Sequence, residues 1–139
     1  MPALLLLKQG PAMPLKKPQP EADLDQGRSG NKLVCKACGH EITRAGARTA
    51  VDGSHVHVFS NPGGYVFEIG CFRTAPGCLH EGPATTEFTW FPGFSWQVAL
   101  CGGCHCLMGW KYRPVQGGEA GFHGLILPHL AEVPDQDET

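Results

Sequence analysis

Apolar and polar residues alternate in short runs through the middle of the chain. The run 55–59 alternates with period two and stops at a turn cluster, 60–64. Similar runs follow at 65–69, 94–100, 108–112 and 122–127. Period two is the spacing of a half-buried strand, and 19 glycines and 12 prolines interrupt the chain too often for long helices. The pattern predicts a mostly β domain of short antiparallel strands.

The alternation also predicts which side chains share a face of a strand. One run places four apolar residues on one face: Phe94, Trp96, Val98 and Leu100. The following run does the same for Met108, Trp110 and Tyr112. His55 and His57 would share a face of an earlier strand, which we expect to be solvated. A strand pair lined with aromatic residues is therefore expected near the middle of the domain.

The two ends of the chain lack this periodicity. Residues 1–31 are rich in proline, lysine, glutamine, aspartate and glycine, and the last residues are acidic. Such segments bury too little apolar surface to offset the entropy lost on ordering. We predict a disordered tail over 1–31, a folded domain over 32–130 and an acidic disordered tail over 131–139.

Charge and hydropathy exclude several classes of protein. The net charge of -2 gives no electrostatic basis for binding nucleic acid or an anionic membrane surface. No run approaches the roughly 20 apolar residues of a membrane span, and the apolar run 3–7 is shorter than a secretory signal requires. Seven cysteines is an odd number, which argues against a closed disulfide framework. A reduced cytoplasmic protein is expected.

Four of the cysteines form two Cys-x-x-Cys pairs, Cys35 with Cys38 and Cys101 with Cys104. Two intervening residues let both sulfurs of a pair face one ion, and four thiolates complete a tetrahedral site with no position left for water. We predict one structural Zn²⁺ held by all four, with disulfides or a single redox pair as alternatives. The remaining cysteines are expected to be buried apolar residues: Cys71, Cys78 and Cys106. A second metal site with His80 or His105 lacks regular spacing.

The three tryptophans lie close to the second cysteine pair. Trp90 and Trp96 flank the Pro92-Gly93 turn, and Trp110 would lie alongside if its strand pairs with that of Trp96. These indoles could form an aromatic core or line a pocket, and the residues alone leave both open. A pocket would suit a flat ring or a cation, and Glu87 could assist a cation.

The order of these motifs resembles the thalidomide-binding domain of the cereblon family, the CULT domain, over about 33–127. The motifs are Cys35-x-x-Cys38, Asn61-Pro62-Gly63-Gly64-Tyr65-Val66, Trp90-Phe91-Pro92-Gly93-Phe94-Ser95-Trp96, Cys101-x-x-Cys104 and Gly109-Trp110-Lys111-Tyr112. The resemblance implies a β-tent, in which two antiparallel sheets are pinned by zinc. It also implies that Trp90, Trp96 and Trp110 form a cage for cyclic imides.

The resemblance further implies roles for individual residues. The backbone at Phe88 would accept a hydrogen bond from an imide N–H, and the backbone N–H of Trp90 would donate to an imide carbonyl. Tyr112 would form a pocket wall, and the loop with Asn61 and Pro62 would approach the outer part of the ligand. Phe88-Thr89 stands where the animal pattern has His-Ser, so a side-chain hydrogen bond is lost. No Lon-like domain or adaptor-binding helical region is present, so no ubiquitin-ligase adaptor is expected.

The sequence therefore predicts a non-catalytic binding module. Its expected ligands are glutarimide, thalidomide-type molecules, C-terminal cyclic imides of peptides and uracil- or uridine-like rings. Two alternatives remain: a zinc-containing oxidoreductase like methionine sulfoxide reductase B, with Cys71 or Cys106 as nucleophile, and an aromatic cage that reads methylammonium groups. A zinc-ribbon nucleic-acid binder is disfavoured by the charge.

Overall fold

The computed structural model describes residues 30–60, 63–117 and 121–135, whose strands form two antiparallel sheets. The strands in this part of the chain are β1 (Lys32–Cys35), β2 (Glu41–Arg44), β3 (Val56–Ser60), β4 (Val66–Phe72), β5 (Cys78–Thr85), β6 (Phe94–Cys101), β7 (Leu107–Pro114), β8 (Phe122–Ile126) and β9 (Leu130–Val133). Within the same ranges, short 3-10 turns lie at Ala45–Ala47 and Leu127–His129. The prediction of a mostly β fold with two antiparallel sheets is confirmed.

The smaller sheet has the order β2-β1-β9, and the larger has the order β3-β4-β8-β7-β6-β5. The alternating runs predicted β3, β4, β6, β7 and β8, which are five strands of the larger sheet. Strand β6 pairs with β7 as expected, with Trp96 opposite Tyr112 and Val98 opposite Trp110. The aromatic strand pair therefore lies inside the larger sheet, flanked by β5 and β8.

Buried side chains cover the larger sheet on both faces. One cluster is aromatic and comprises Phe59, Ile69, Cys71, Trp90, Phe91, Trp96, Trp110, Tyr112, Phe122 and Ile126. The other joins the two sheets and comprises Leu33, Cys35, Ile42, Phe72, Ala75, Cys101, Met108, Leu125 and Leu130. Neighbours such as Cys71 and Phe72 belong to different clusters, as the period of a strand requires. The aromatic face is thus separated from the inter-sheet core by the sheet itself.

Met108 does not share a face with Trp110 and Tyr112, so that part of the prediction is wrong. The pairing of β6 with β7 shifts register, because Ala99 is opposite Gly109 while Leu100 is opposite Leu107. Gly109 has a φ of 151°, and a Cβ there would collide with the carbonyl of Gly124. This bulge inserts one residue and turns Met108 toward the inter-sheet core. Leu100, beside the same shift, stays half-buried and outside the aromatic cluster.

The small sheet extends past the predicted end of the folded domain. Strand β9 reaches Val133 and pairs along the whole length of β1, with Lys32 opposite Val133 and Cys35 opposite Leu130. Apart from its last two residues, the segment 1–31 lies outside the described residues. No helix in the described ranges is long and apolar enough to cross a bilayer.

His55 and His57 are buried, which contradicts the expected solvated face. The ring of His55 donates from Nδ1 to the carbonyl of Thr49 at 3.1 Å. His57 Nε2 lies 3.0 Å from the carbonyl oxygen of Val51. Both carbonyls belong to the segment before β3, so the two imidazoles tie that segment to the sheet. Buried imidazoles need such partners, because an unsatisfied polar group is costly in an apolar core.

A second histidine pair joins the edge strand β5 to the inner strand β8. The Nε2 atoms of His80 and His123 lie 2.9 Å apart, and the rings stack with centroids 5.1 Å apart. His123 is buried, and its Nδ1 has no hydrogen-bond partner among the described residues. Burial, followed by the charges of Lys111, His80 and Arg113, lowers the pKa of His123 to about 3. Burial, followed by the charges of Lys111 and Arg113, also lowers the pKa of His80.

We expect His123 to make the domain less stable in mild acid. Its pKa is about 3 when folded and near the ordinary 6.5 when unfolded, so between these values the unfolded chain binds more protons. The free energy of unfolding therefore decreases as the pH falls below the unfolded-state pKa of His123, by up to about 1.4 kcal/mol per pH unit. Urea unfolding at pH values from about 7 to about 5, with bound metal assayed at each, should show a flatter dependence for His123→Gln. If the free energy of unfolding fell with pH equally steeply in the wild type and in His123→Gln, His123 would not be the source of the acid sensitivity.

Candidate functional site

The two Cys-x-x-Cys turns have the same backbone geometry. In the first, Cys35 accepts from the N–H of Gly39 at 2.8 Å and donates to the carbonyl of His40 at 2.8 Å. In the second, Cys101 accepts from the N–H of His105 at 2.8 Å and donates to the carbonyl of Cys106 at 2.8 Å. Each turn directly follows a strand, β1 or β6. Because the turns are equivalent, each presents its two sulfurs in the same way.

The structure brings the four predicted metal ligands together. The sulfurs of Cys35, Cys38, Cys101 and Cys104 all lie within 4.8 Å of one another. Cys35 Sγ is 3.7 Å from Cys104 Sγ, and Cys38 Sγ is 3.6 Å from Cys101 Sγ. In a tetrahedral zinc–thiolate centre, Zn–S bonds of ~2.3 Å place ligand sulfurs about 3.8 Å apart. The four cysteines could therefore hold one metal ion, and their spacing fits zinc.

The cluster of four cysteines lies where the two sheets meet. Cys35 and Cys101 are buried in the inter-sheet core, while Cys38 and Cys104 are exposed at its edge. Gly103 packs tightly here, because a Cβ would meet Cys38 Sγ at 3.2 Å and His40 Cβ at 3.0 Å. A bound ion would join β1 of the smaller sheet to β6 of the larger sheet.

Two of the remaining thiols lie away from this cluster. Cys71 is fully buried in the aromatic cluster, and burial raises the pKa of its thiol well above the usual range. Cys78 is half-buried on β5, and burial raises its pKa to about 12. Neither is a ready thiolate, since the neutral form is favoured in both sites.

Five of the seven predicted ligand-binding residues line one recess beside the aromatic cluster. They are Phe88, Trp90, Trp96, Trp110 and Tyr112, around a volume of about 170 Å³ that includes the open space at its mouth. Trp96 lies on β6, Trp110 and Tyr112 lie on β7, and Phe88 and Trp90 lie on the connecting segment before β6. Asn61 and Pro62, also predicted, lie outside the described residues.

The walls of the recess are packed tightly. The rings of Trp90 and Trp110 meet edge to face, with centroids 5.2 Å apart and an interplanar angle of 79°. All three indoles and Tyr112 are buried. Burial also raises the pKa of the Tyr112 phenol well above its usual value. The recess is therefore narrow and apolar, and the Tyr112 side chain that lines it is neutral.

The indole N–H groups of Trp96 and Trp90 have different surroundings. Trp96 Nε1 donates to the carbonyl of Glu87 at 2.7 Å, which ties the segment before β6 to the strand. Trp90 Nε1 is buried and has no hydrogen-bond partner among the described residues. Phe88, next to Glu87, has a φ of 56° and a half-exposed side chain. A non-glycine residue in this region is strained, and such strain concentrates at functional sites.

Sequence reasoning missed two aromatic residues behind the recess. Phe59 stacks on Trp90 with centroids 4.9 Å apart, and Phe67 meets Trp110 edge to face at 5.5 Å. These residues are direct partners across the β3–β4 pair. The alternation of the 55–59 and 65–69 runs predicted both strands but not their register. Counting outward from the predicted 60–64 turn would have placed Phe59 opposite Tyr65, whereas the observed pairing of Ser60 with Val66 places Phe59 opposite Phe67.

Comparison with known proteins shows one consistent relationship. The chain is 33% identical over 121 residues to protein cereblon from Xenopus tropicalis, a match that covers 84% of this chain and 27% of that protein. It is 30% identical over 141 residues to the Danio rerio protein, covering 97% and 31%. For Drosophila persimilis the identity is 30% over 98 residues, covering 67% and 16%.

These matches span less than a third of each relative. No family model matches the chain. The β architecture and the cysteine cluster agree with the fold that the ordered motifs imply. The described residues therefore form a cereblon-like domain of the CULT type.

Proposed function

We propose that this domain is a zinc-stabilised, non-catalytic module that binds small cyclic imides. The supporting observation is that Trp90, Trp96, Trp110 and Tyr112 line one recess together with Phe88. The proposed ligands are glutarimide, thalidomide-type molecules, C-terminal cyclic imides of peptides and uracil- or uridine-like rings. The zinc centre would hold the two sheets together and leave ligand contact to the aromatic residues.

Recognition would divide between apolar walls and backbone groups. The indoles and Tyr112 would cover the faces and the saturated edge of the ring, because transfer of apolar surface out of water is favourable. The backbone carbonyl at Phe88 would accept the imide N–H, and the backbone N–H of Trp90 would donate to an imide carbonyl. In our proposal, Asn61 and Pro62 would approach the outer part of the ligand.

Entry of a ring requires the recess to widen, because its walls are in contact. Trp96 and Trp110 are held by neighbouring strands, whereas Trp90 lies on the segment 86–93 between β5 and β6. Trp90 stacks on Phe59 but makes no hydrogen bond through Nε1 to any described residue. We propose that this segment, with Trp90 and Phe88, moves outward to admit the ligand while the two strands stay in place.

The observations favour an imide over the two other candidates. A methylammonium reader gains from a carboxylate beside its cage, and the side chains that line this recess are all aromatic. An oxidoreductase would need an accessible thiolate, but Cys71 is fully buried and its neutral form is favoured. The other candidate nucleophile, Cys106, is half-buried against the proposed metal ligands Cys35 and Cys104. A neutral ring with its own donor and acceptors suits a narrow apolar recess bordered by backbone groups.

Intrinsic fluorescence tests the class of ligand. All three tryptophans line the recess, so the emission of every indole should respond to a bound ligand. We expect glutarimide, uracil and uridine to change the emission in a saturable way and trimethyl-lysine to leave it unchanged. Free N-acetyltryptophanamide, titrated identically, controls for absorption by the ligands. Saturable quenching by trimethyl-lysine alone would replace the imide proposal with a methylammonium reader.

A further inference from the structure

A fifth cysteine sulfur lies against the cluster of four cysteines. Cys106 Sγ is 3.6 Å from Cys35 Sγ and 3.4 Å from Cys104 Sγ. The separation of two proposed ligands, Cys35 and Cys104, is 3.7 Å. These values are close to the ligand-to-ligand spacing of about 3.8 Å in a tetrahedral zinc–thiolate centre. The sulfur of Cys106 therefore lies as far from the sulfurs of Cys35 and Cys104 as two ligands of one zinc ion lie from each other.

The backbone between Cys104 and Cys106 brings both sulfurs to this edge. His105 has a φ of 68°, in the left-handed region, and occupies the place that Gly39, with a φ of 84°, has in the first turn. Glycine adopts this conformation freely, whereas histidine adopts it against its preference. The second turn thus keeps the geometry of the first but carries a cysteine immediately after the left-handed residue.

Exposure distinguishes the two cysteines. Cys104 is exposed, whereas Cys106 is half-buried and contacts the inter-sheet core. An exposed ligand is thus adjacent to a more protected thiol. Both thiols neighbour Cys35, which is buried and belongs to the first pair.

We infer that Cys106 is a spare ligand of the metal centre, able to replace Cys104 when that sulfur is lost or blocked. The inference rests on the proposed zinc centre. It adds Cys106 to the ligands of the second turn, so that this turn offers three sulfurs and the first turn offers two. The exchange needs no oxidant, because one thiolate leaves zinc and takes a proton while the other loses a proton and binds. Among the described residues, no sulfur outside the four proposed ligands makes a comparable contact with Cys38 Sγ or Cys101 Sγ.

Zinc content of matched variants tests this inference. Cys104→Ser should retain equimolar zinc through Cys106, and Cys106→Ser should also retain it through the original four. The double variant Cys104→Ser/Cys106→Ser should lose zinc, as should Cys38→Ser with Cys106 intact. Replacement of zinc by Co²⁺ adds a spectroscopic readout. The thiolate-to-cobalt charge-transfer band of Cys104→Ser should match the wild-type band.

The possible failures can be separated. Absence of zinc from the wild type would refute the zinc centre itself. Because serine could disturb the turn, Cys104→Ala is measured as well. Loss of zinc from both single variants at position 104 would overturn the spare-ligand role. Retention of zinc by the double variant, or a weakened cobalt band in Cys104→Ser, would overturn it too.

Discussion

Cys101→Ser is expected to release the metal and unfold the domain. Cys101 is fully buried at the end of β6 and contributes one of the four sulfurs that join the two sheets. Apparent zinc-binding energies in small structural sites are about 10–16 kcal/mol, as large as the whole net stability of a typical domain. We therefore expect a metal-free chain with the circular dichroism of an unfolded protein. Elemental analysis and far-ultraviolet circular dichroism make the measurement.

Cys78→Ser provides the matched control for this variant. Cys78 pairs with Cys101 across β5 and β6, so the same change is made on the neighbouring strand and outside the cluster. We expect the control to keep its metal and its fold. A folded, metal-free Cys101→Ser protein would show that the cluster is not needed for folding.

Trp90→Ala is expected to weaken imide binding strongly while the metal remains bound. The Trp90 side chain packs on Phe59, Phe67 and Trp110, and its Nε1 has no hydrogen-bond partner among the described residues. Loss of a large aromatic contact weakens binding by about 2–3 kcal/mol, roughly 30- to 150-fold. Trp110→Ala should have the same effect on binding and a greater effect on stability, since Trp110 belongs to β7. Calorimetric titration with glutarimide and a zinc assay separate the two effects.

Phe72→Leu controls for the loss of stability alone. Phe72 is fully buried but lies in the inter-sheet core, away from the residues that line the recess. The substitution should lower the unfolding free energy without changing the affinity for glutarimide. If Trp90→Ala bound glutarimide as tightly as this control does, the recess would not be the binding site.

The part of the fold that sequence reasoning predicted best is the larger sheet. Its inner strands alternate cleanly, because one face carries the aromatic cluster. Strand β5 was missed because it is a mostly exposed edge strand that contains Gly82 and Pro83, residues that normally signal a turn. An edge strand tolerates proline, since one side has no pairing partner. The alternation did not locate the strands of the smaller sheet, because they have only four residues each.

Within the candidate site, local spacing was informative and register was not. The interval in Cys-x-x-Cys constrains both sulfurs of a pair, and the preference of structural zinc for four ligands predicted that the two pairs would meet. The orientation of Met108 and the pairing of Phe59 with Phe67 depend on a bulge and on strand register. Cys106 looked like an ordinary buried cysteine, because its approach to Cys35 requires a left-handed histidine that the sequence does not signal.

The most direct test of the proposed function is a pair of calorimetric titrations of the wild-type protein. Glutarimide and N-methylglutarimide share the same ring and differ only at the imide nitrogen, which carries a hydrogen in the first and a methyl group in the second. Burial of an acceptor without its donor costs about 1–3 kcal/mol, and the added methyl group would meet the backbone at Phe88. The proposal predicts saturable binding of glutarimide and no measurable binding of the methylated analogue. Equal affinities for both, or binding of neither, would contradict an imide-binding cage.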